Sequence, residues 1–335
     1  MKKSWIHLLF TVATLSAASV CTAASVLYPV VVGGRWGYVN QAGATVINPQ
    51  FDQAEIFAGG LAPVRMGRWG YVDGSGKIAI NPQFDKAGAF SEGLAAVRLG
   101  GGGPTPLDPF AIGGGRFGYI NPDGKYVINP QFDDAGTFSE GLAAVKMGHW
   151  GFVDKSGKVV INPQFDEAGA FSEGLAVIKS GSHFGYTDTS GKLAINPQFE
   201  RALPFSEGLA VVRSGGKWGF IDKTGKITVN PQFDDAGSFV KGLAPVRQGK
   251  RWGYIDPTGK FVINPQFDDA AGFSEGLAAV RQSGHWGFVD PNGKIIINPQ
   301  FDEAAPFAGG LARVKVSGKL GYVDASGKYV WNPNK

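Results

Sequence analysis

Cysteine is almost missing from this chain: Cys21 is the only one in 335 residues. No disulfide framework and no cysteine-rich metal site can be built from it. Histidine is nearly as scarce, at four. His149, His183 and His285 each stand directly before an aromatic-Gly pair, where other copies of the same pattern hold Arg35, Arg68, Arg116, Lys217, Arg251 or Lys319. Ammonium and guanidinium groups ligate no metal, so a slot that accepts them is not a zinc slot. Charge of one sign is also in short supply. The net charge is +4, without the clustered basic excess of a nucleic-acid binder. Long apolar runs are missing too; the longest, Ile6 to Val20, is too short to read as a membrane span. No GxSxG or HExxH motif occurs. The nearest approach to a phosphate loop, Gly219 to Lys226, has five residues between its glycines and Ile227 where Ser or Thr belongs. The sequence therefore predicts no cofactor, no metal, no nucleic-acid partner and no catalysis.

What the chain does have begins with a targeting segment. Lys2 and Lys3 precede the apolar run Ile6 to Val20, and Thr22-Ala23-Ala24 offers small residues for cleavage. Residues 1–24 read as a cleavable signal peptide. Removing it takes away Cys21; lipidation of Cys21 is the minor alternative, disfavoured because Val20 precedes the cysteine. The expected location is periplasmic or secreted, with no transmembrane span after cleavage.

The remainder, 25–335, is one pattern repeated. Aromatic-Gly pairs begin at Trp36, Trp69, Phe117, Trp150, Phe184, Trp218, Trp252 and Trp286, and Leu320-Gly321 is a degenerate ninth. The spacing is 33 or 34 residues apart from one step of 48 between Trp69 and Phe117. A fixed period of this size means a repeat architecture. Gly, at 51 residues, is abundant, but falls at fixed offsets and so marks turns rather than disorder.

One unit, Leu61 to Ala87, reads as three short strands: Leu61 to Arg65, Arg68 to Asp73, and Lys77 to Asn81. Turns ending in Gly join them, as in an antiparallel meander. The third strand is expected to stop at Asn-Pro, since proline cannot donate to a ladder. Stretches such as Tyr126-Val127-Ile128 are apolar on both faces, which predicts meanders stacked face to face about 10 Å apart. The Gly after each Trp is expected to admit a large side chain from the next unit. The aromatics are expected to form a buried seam, capped by connector phenylalanines such as Phe90 and Phe138.

The fold class is thus all-β: a tandem array of nine three-stranded antiparallel meanders. It begins and ends in the same phase, so the ends exchange no strand, and nine blades would leave a wide hole. An open superhelical stack, on the order of 90 Å long, is favoured over a closed β-propeller-like ring. One insertion, 100–115, interrupts the third unit's first hairpin. Insertions in repeat arrays are surface loops, often on the binding face. Its apolar centre makes Leu107, Phe110 and Ile112 candidate partner contacts.

The repeated aromatic-Gly-Tyr/Phe-Val/Ile-Asp, the Gly-Lys that follows and Asn-Pro-x-Phe resemble the WG-repeat family of bacterial proteins, over residues 27 to 333. The resemblance implies β-rich repeats and an interaction role, with no catalytic residue to carry over.

Charged residues recur in register. One acidic row includes Asp52, Asp85, Asp133 and Asp234; basic rows include Arg65 with Arg98, and Lys77 with Lys125. Turn capping and solvated ion pairs are the favoured reading of these rows. The expected role is that of an exported, non-catalytic binding or scaffold protein of the bacterial cell envelope, acting through protein–protein interaction. The alternative is a glycan or peptidoglycan binding module.

Overall fold

The computed structural model describes residues 26–100 and 115–332. Every described strand is antiparallel to its neighbours, in nine separate sheets. The first sheet, blade 1, holds β1 (Tyr28–Val32), β2 (Arg35–Val39) and β3 (Thr45–Phe51). Blade 2 has four strands: β4 (Gln53–Ala54), β5 (Leu61–Met66), β6 (Arg68–Asp73) and β7 (Ile78–Phe84), hydrogen-bonded in that order. Blades 3 to 9, ending at Trp331, repeat this order. The expected unit of three strands therefore gains a fourth. In β4 the connector pairs for two residues, Gln53 with Arg65 and Ala54 with Val64, a stretch too short to show as sequence alternation.

The third long strand does not stop at Asn-Pro. It runs on through Pro82 to Phe84. Trp69 pairs with Phe84 and Tyr71 with Ile80, so Gly70 alone faces Asn81, Pro82 and Gln83. This is a bulge, and the proline sits in the part of the strand that leaves the ladder, where a missing N–H does no harm. The bulge also explains the invariant glycine. A Cβ on Gly70 would lie 2.5 Å from the Ile80 carbonyl oxygen and 2.7 Å from Pro82 N. The glycine makes room for its own blade's backbone, not for a side chain of the next unit as expected from sequence.

Two-sided burial holds for the inner strands only. In the third long strand of blade 3, Tyr126 and Val127 are exposed and Ile128 is buried, so the stretch expected to be covered on both faces is covered on one, because no further strand or blade lies over the outer edge. Along β6, Gly70, Tyr71 and Val72 are all buried. At eight interfaces the ring two residues after the WG aromatic packs on the connector phenylalanine of the next blade. Centroids are 4.8 to 5.0 Å apart, as for Tyr71 with Phe90, Phe152 with Phe171 and Phe220 with Phe239. The tilted and edge geometries are those that aromatic quadrupoles favour.

The array closes, contrary to the favoured open stack: it is a nine-bladed β-propeller. Blade 9 packs on blade 1 through Tyr28, Val30, Val39, Leu311 and Tyr322. The Tyr28 hydroxyl donates to the Gly309 carbonyl, and the Tyr322 hydroxyl donates to the Pro29 carbonyl at 2.9 Å. Gln41 adds an amide bond to Gly309 O at 3.1 Å. Among the described residues the end sheets share no strand, and none is needed. Tyr28 stands where the other first strands carry Ala, and its ring packs on Tyr322 at 5.4 Å. It thereby fills the place of the connector phenylalanine at this one interface.

Candidate binding surface

In a meander, successive turns alternate between the two ends of the blade, so the ring has two chemically different ends. At one end lie the turns before the first long strands, Ser-Glu-Gly in five blades, and the turns before the third, Asp-x-x-Gly-Lys in all blades but those whose turns begin with Asn40 and Asn121. In the latter, the aspartate's Oδ1 accepts the hydroxyl and amide of the residue two on and the amide four on. Asp154 takes Ser156 Oγ at 2.6 Å, Ser156 N at 2.9 Å and Lys158 N at 3.1 Å. The hydroxyl bond, backed by the two amides, lowers the pKa of Asp73, Asp154, Asp188, Asp222, Asp256 and Asp324. The lysines at the ends of these turns, Lys77 and Lys125 among them, are exposed. Each stands beside a turn carboxylate, so this row is a neutralised rim rather than a cationic stripe.

The Ser-Glu-Gly turns link neighbours. Ser172 Oγ donates to Phe205 O at 2.8 Å, and Ser206 Oγ to Phe239 O at 2.7 Å. Glu207 holds a left-handed backbone, φ 55°, while its carboxylate accepts Lys241 N at 2.5 Å and Gly242 N at 2.8 Å in the next blade. Glu92, Glu140, Glu173 and Glu275 repeat the arrangement. Sequence reasoning passed over these glutamates; the recurring Ser-Glu-Gly was the available signal.

At the other end lie the first hairpin turns and the acidic row. Asp52 accepts Gly67 N at 2.7 Å and pairs with Arg35 of the previous blade. Asp133 accepts Gly148 N at 2.9 Å and pairs with Arg116. Asp234, bonded by Lys217 and then by Gly249 N, has a lowered pKa. His149 stands 3.9 Å from Asp166 in the same slot. The acidic row caps turns and ties adjacent blades. These pairs are exposed, so each adds little to stability.

The WG aromatics are less hidden than a buried seam requires. Trp36, Trp69, Phe117, Trp150, Trp218, Trp252 and Trp286 are half-buried and Phe184 is buried. Leu107, Phe110 and Ile112 lie outside the described residues, as do residues 1–24. The insertion's base is described: Leu99 still pairs with Arg116, so the hairpin is kept around it.

Three residues that depart from the repeat, Glu55, Ile56 and Lys86, meet the repeat aromatic Trp69 in a cleft of about 350 Å³ between blades 2 and 3. Trp69, Pro63, Ile56 and Glu55 line one side and Lys86 to Ala89 the other. Ile56 is 56 % exposed. Glu55 is open to solvent yet surrounded by protein, which raises its pKa against the opposing field of Arg313. No sequence motif marked this place, because only departure from the repeat distinguishes it. A second cleft, about 390 Å³, lies at the closing interface between Gly43 and Tyr329 to Asn332. No helix in the described residues is long and apolar enough to cross a membrane.

Known proteins place this architecture. The sequence model of the WG containing repeat matches at 36–68, 69–102, 117–148, 150–182, 184–218, 218–252, 252–284 and 286–319. No curated protein matches the sequence. Among solved structures, a eukaryotic initiation factor superposes with a TM-score of 0.64 at 12% identity, covering 91% of this chain and 95% of that one. At that identity the likeness shows the fold alone. The extracellular domain of a one-component system from B. thetaiotaomicron gives a TM-score of 0.35 at 11% identity, over 91% of this chain and 58% of that one. PorZ, a bacterial surface component of the type-IX secretion system of Porphyromonas gingivalis, gives 0.37 at 10%, over 75% and 38%.

Proposed function

The chain belongs to the WG containing repeat family, and from that premise we propose that it is an exported, non-catalytic binding or scaffold protein of the bacterial cell envelope that acts through protein–protein interaction. The observation that carries the proposal is how the repeated polar groups are used. The turn aspartates, the Ser-Glu-Gly glutamates and the acidic row are all engaged in capping turns or joining blades. Catalysis needs titratable groups left free and converging on one point; here they are distributed around a ring. What remains for recognition is the broad surface and the positions where the repeat is broken. The basic, apolar, small-residue order of residues 1–24 supports export.

The half-buried tryptophans support a second reading, a glycan or peptidoglycan binding module, since exposed indole faces stack on sugars. One experiment separates the two. The chain from Ser25 onward is sedimented with purified peptidoglycan and envelope polysaccharide, and in parallel is photo-crosslinked in cells from probes placed at Ile56 and Phe110. The protein-partner reading expects discrete crosslinked bands and no pelleting. Saturable, competable pelleting without crosslinks supports the glycan module instead.

A further inference from the structure

We propose that the cleft between blades 2 and 3 is a docking site for an acidic peptide segment of a partner protein, with Lys86 receiving its carboxylates and Trp69 with Ile56 receiving an apolar side chain. The proposal rests on the protein-partner reading above and adds where, and by what chemistry, the partner is held.

The argument starts from a broken rule. In each four-stranded blade the first residue of the short strand lies opposite a residue of the first long strand that is always Lys or Arg. Five of the eight blades place a carboxylate there, as in Asp134 opposite Lys146, Glu167 opposite Lys179 and Glu303 opposite Lys315. Blade 3 instead puts Lys86 directly opposite Arg98. Like charges so placed destabilise a sheet. Nothing in the repeat demands the arrangement, since an acid fits the same slot elsewhere. The other like-charged pair, Arg201 with Arg213, is relieved inside the chain. Arg213 lies 3.6 Å from Glu200, and Arg201 sits 5.9 Å from the Phe184 ring centroid of the preceding blade. In blade 3 the pair shares the Phe117 ring, 6.0 Å from each cation, and Arg98 Nε donates to Gly115 O at 3.0 Å, but among the described residues the exposed Lys86 meets no carboxylate.

This charge is set in an apolar cleft. Beyond Lys86 and Glu55 at its ends, the side chains lining it are Ile56, Pro63, Trp69 and small residues. Sugar sites need several polar side chains to match ring hydroxyls. Two charges separated by an apolar floor fit a peptide instead: carboxylates at the Lys86 end, one apolar side chain on Trp69 and Ile56, a backbone amide donating to Glu55. Where blade 2 has Ile56 the other connectors carry Ala89, Thr137, Ala170, Pro204, Ser238, Gly272 or Pro306, so an exposed branched aliphatic at this position, like the lysine, belongs to this cleft alone.

The test uses a fluorescein-labelled peptide with one Leu flanked on each side by Asp-Glu, a Lys-substituted counterpart, and polygalacturonate as an acidic glycan. Binding to the whole chain is followed by anisotropy at low and high salt. Lys86→Glu restores the pairing found in other blades, so the variant is expected to fold at least as well, which thermal unfolding checks. The expected result is saturable binding of the acidic peptide only, weakened at least tenfold by Lys86→Glu, several-fold by Ile56→Ala and by high salt, and unchanged by Arg201→Glu. Absence of peptide binding up to millimolar concentration overturns the proposal. So does binding indifferent to Lys86→Glu or to the sign of the peptide, and so does tighter Lys86-dependent binding of polygalacturonate. Loss of this site with intact crosslinking from Phe110 would leave the protein-partner reading standing; absence of any protein crosslink would remove that reading first.

Discussion

A single side chain in this ring is worth what its neighbour blade makes of it. Phe152 is fully buried between its own sheet and the Phe171 ring, so Phe152→Ala is expected to cost about 3–5 kcal/mol in chemical denaturation. Trp150, two residues earlier on the same strand, is half-buried, and Trp150→Ala is expected to cost measurably less. Equal losses would show that the indole is core after all. Gly151 is intolerant for a different reason: an added Cβ would lie 2.5 Å from Ile161 O and 2.8 Å from Pro163 N. Backbone atoms cannot rotate away, so Gly151→Ala is expected to lose about 3 kcal/mol. At this scale the sequence told which positions matter but not why. Aromatics at alternate positions share a face, and which of the two is sealed depends on where the next blade's connector phenylalanine lands, which no local pattern encodes.

At the scale of strands and turns, stability depends on caps that reach across blades. Lys241 occupies the left-handed position, φ 51°, that Gly59 and Gly309 fill in other blades. Lys241→Gly is therefore expected to stabilise by about 1 kcal/mol, read as a raised denaturation midpoint. Glu207→Ala removes two bonds to the next blade and is expected to cost about 1–3 kcal/mol. The turn aspartates set an acid limit. Their folded pKa values are lowered, so the stabilisation is fully present above the unfolded carboxylate value of about 3.9 and is lost as pH falls through the folded values. Circular dichroism against pH should show the fold holding to about pH 4 and failing below it. Asp154→Asn and Asp222→Asn should make that decline shallower. The meander and its turns were legible because Gly and Lys recur at fixed offsets. The course of the third strand was not, because a proline suits a bulge as well as a strand end, and only the pairing of Trp69 with Phe84 decides between them.

For the whole molecule the decisive question is how nine like units make a closed object. A local repeat describes one interface nine times over, and that description is the same for a ring and for an open stack. Closure turns on one non-repeating residue. Tyr28 replaces an alanine, packs its ring on Tyr322 and donates to Gly309 O, while Tyr322 donates to Pro29 O. Tyr28→Ala is expected to open this interface. The radius of gyration in small-angle scattering should rise, and the first and last blades should lose amide-exchange protection before the middle ones, since a repeat array loses its ends most readily. Tyr28→Phe keeps the ring stacking and should keep the scattering profile. Alkali supplies an independent route to the same opening. Burial, with Glu275 nearby, raises the Tyr28 pKa from 10.0 to about 12. Between those values the unfolded tyrosine has released its proton and the folded one has not, so stability falls as pH rises. The wild-type ring should loosen at the blade 9–blade 1 interface above about pH 10, and Tyr28→Phe, with no proton to lose, should loosen there less. A scattering profile unchanged by Tyr28→Ala would mean that the remaining contacts, Leu311 and Val30 among them, close the ring without it.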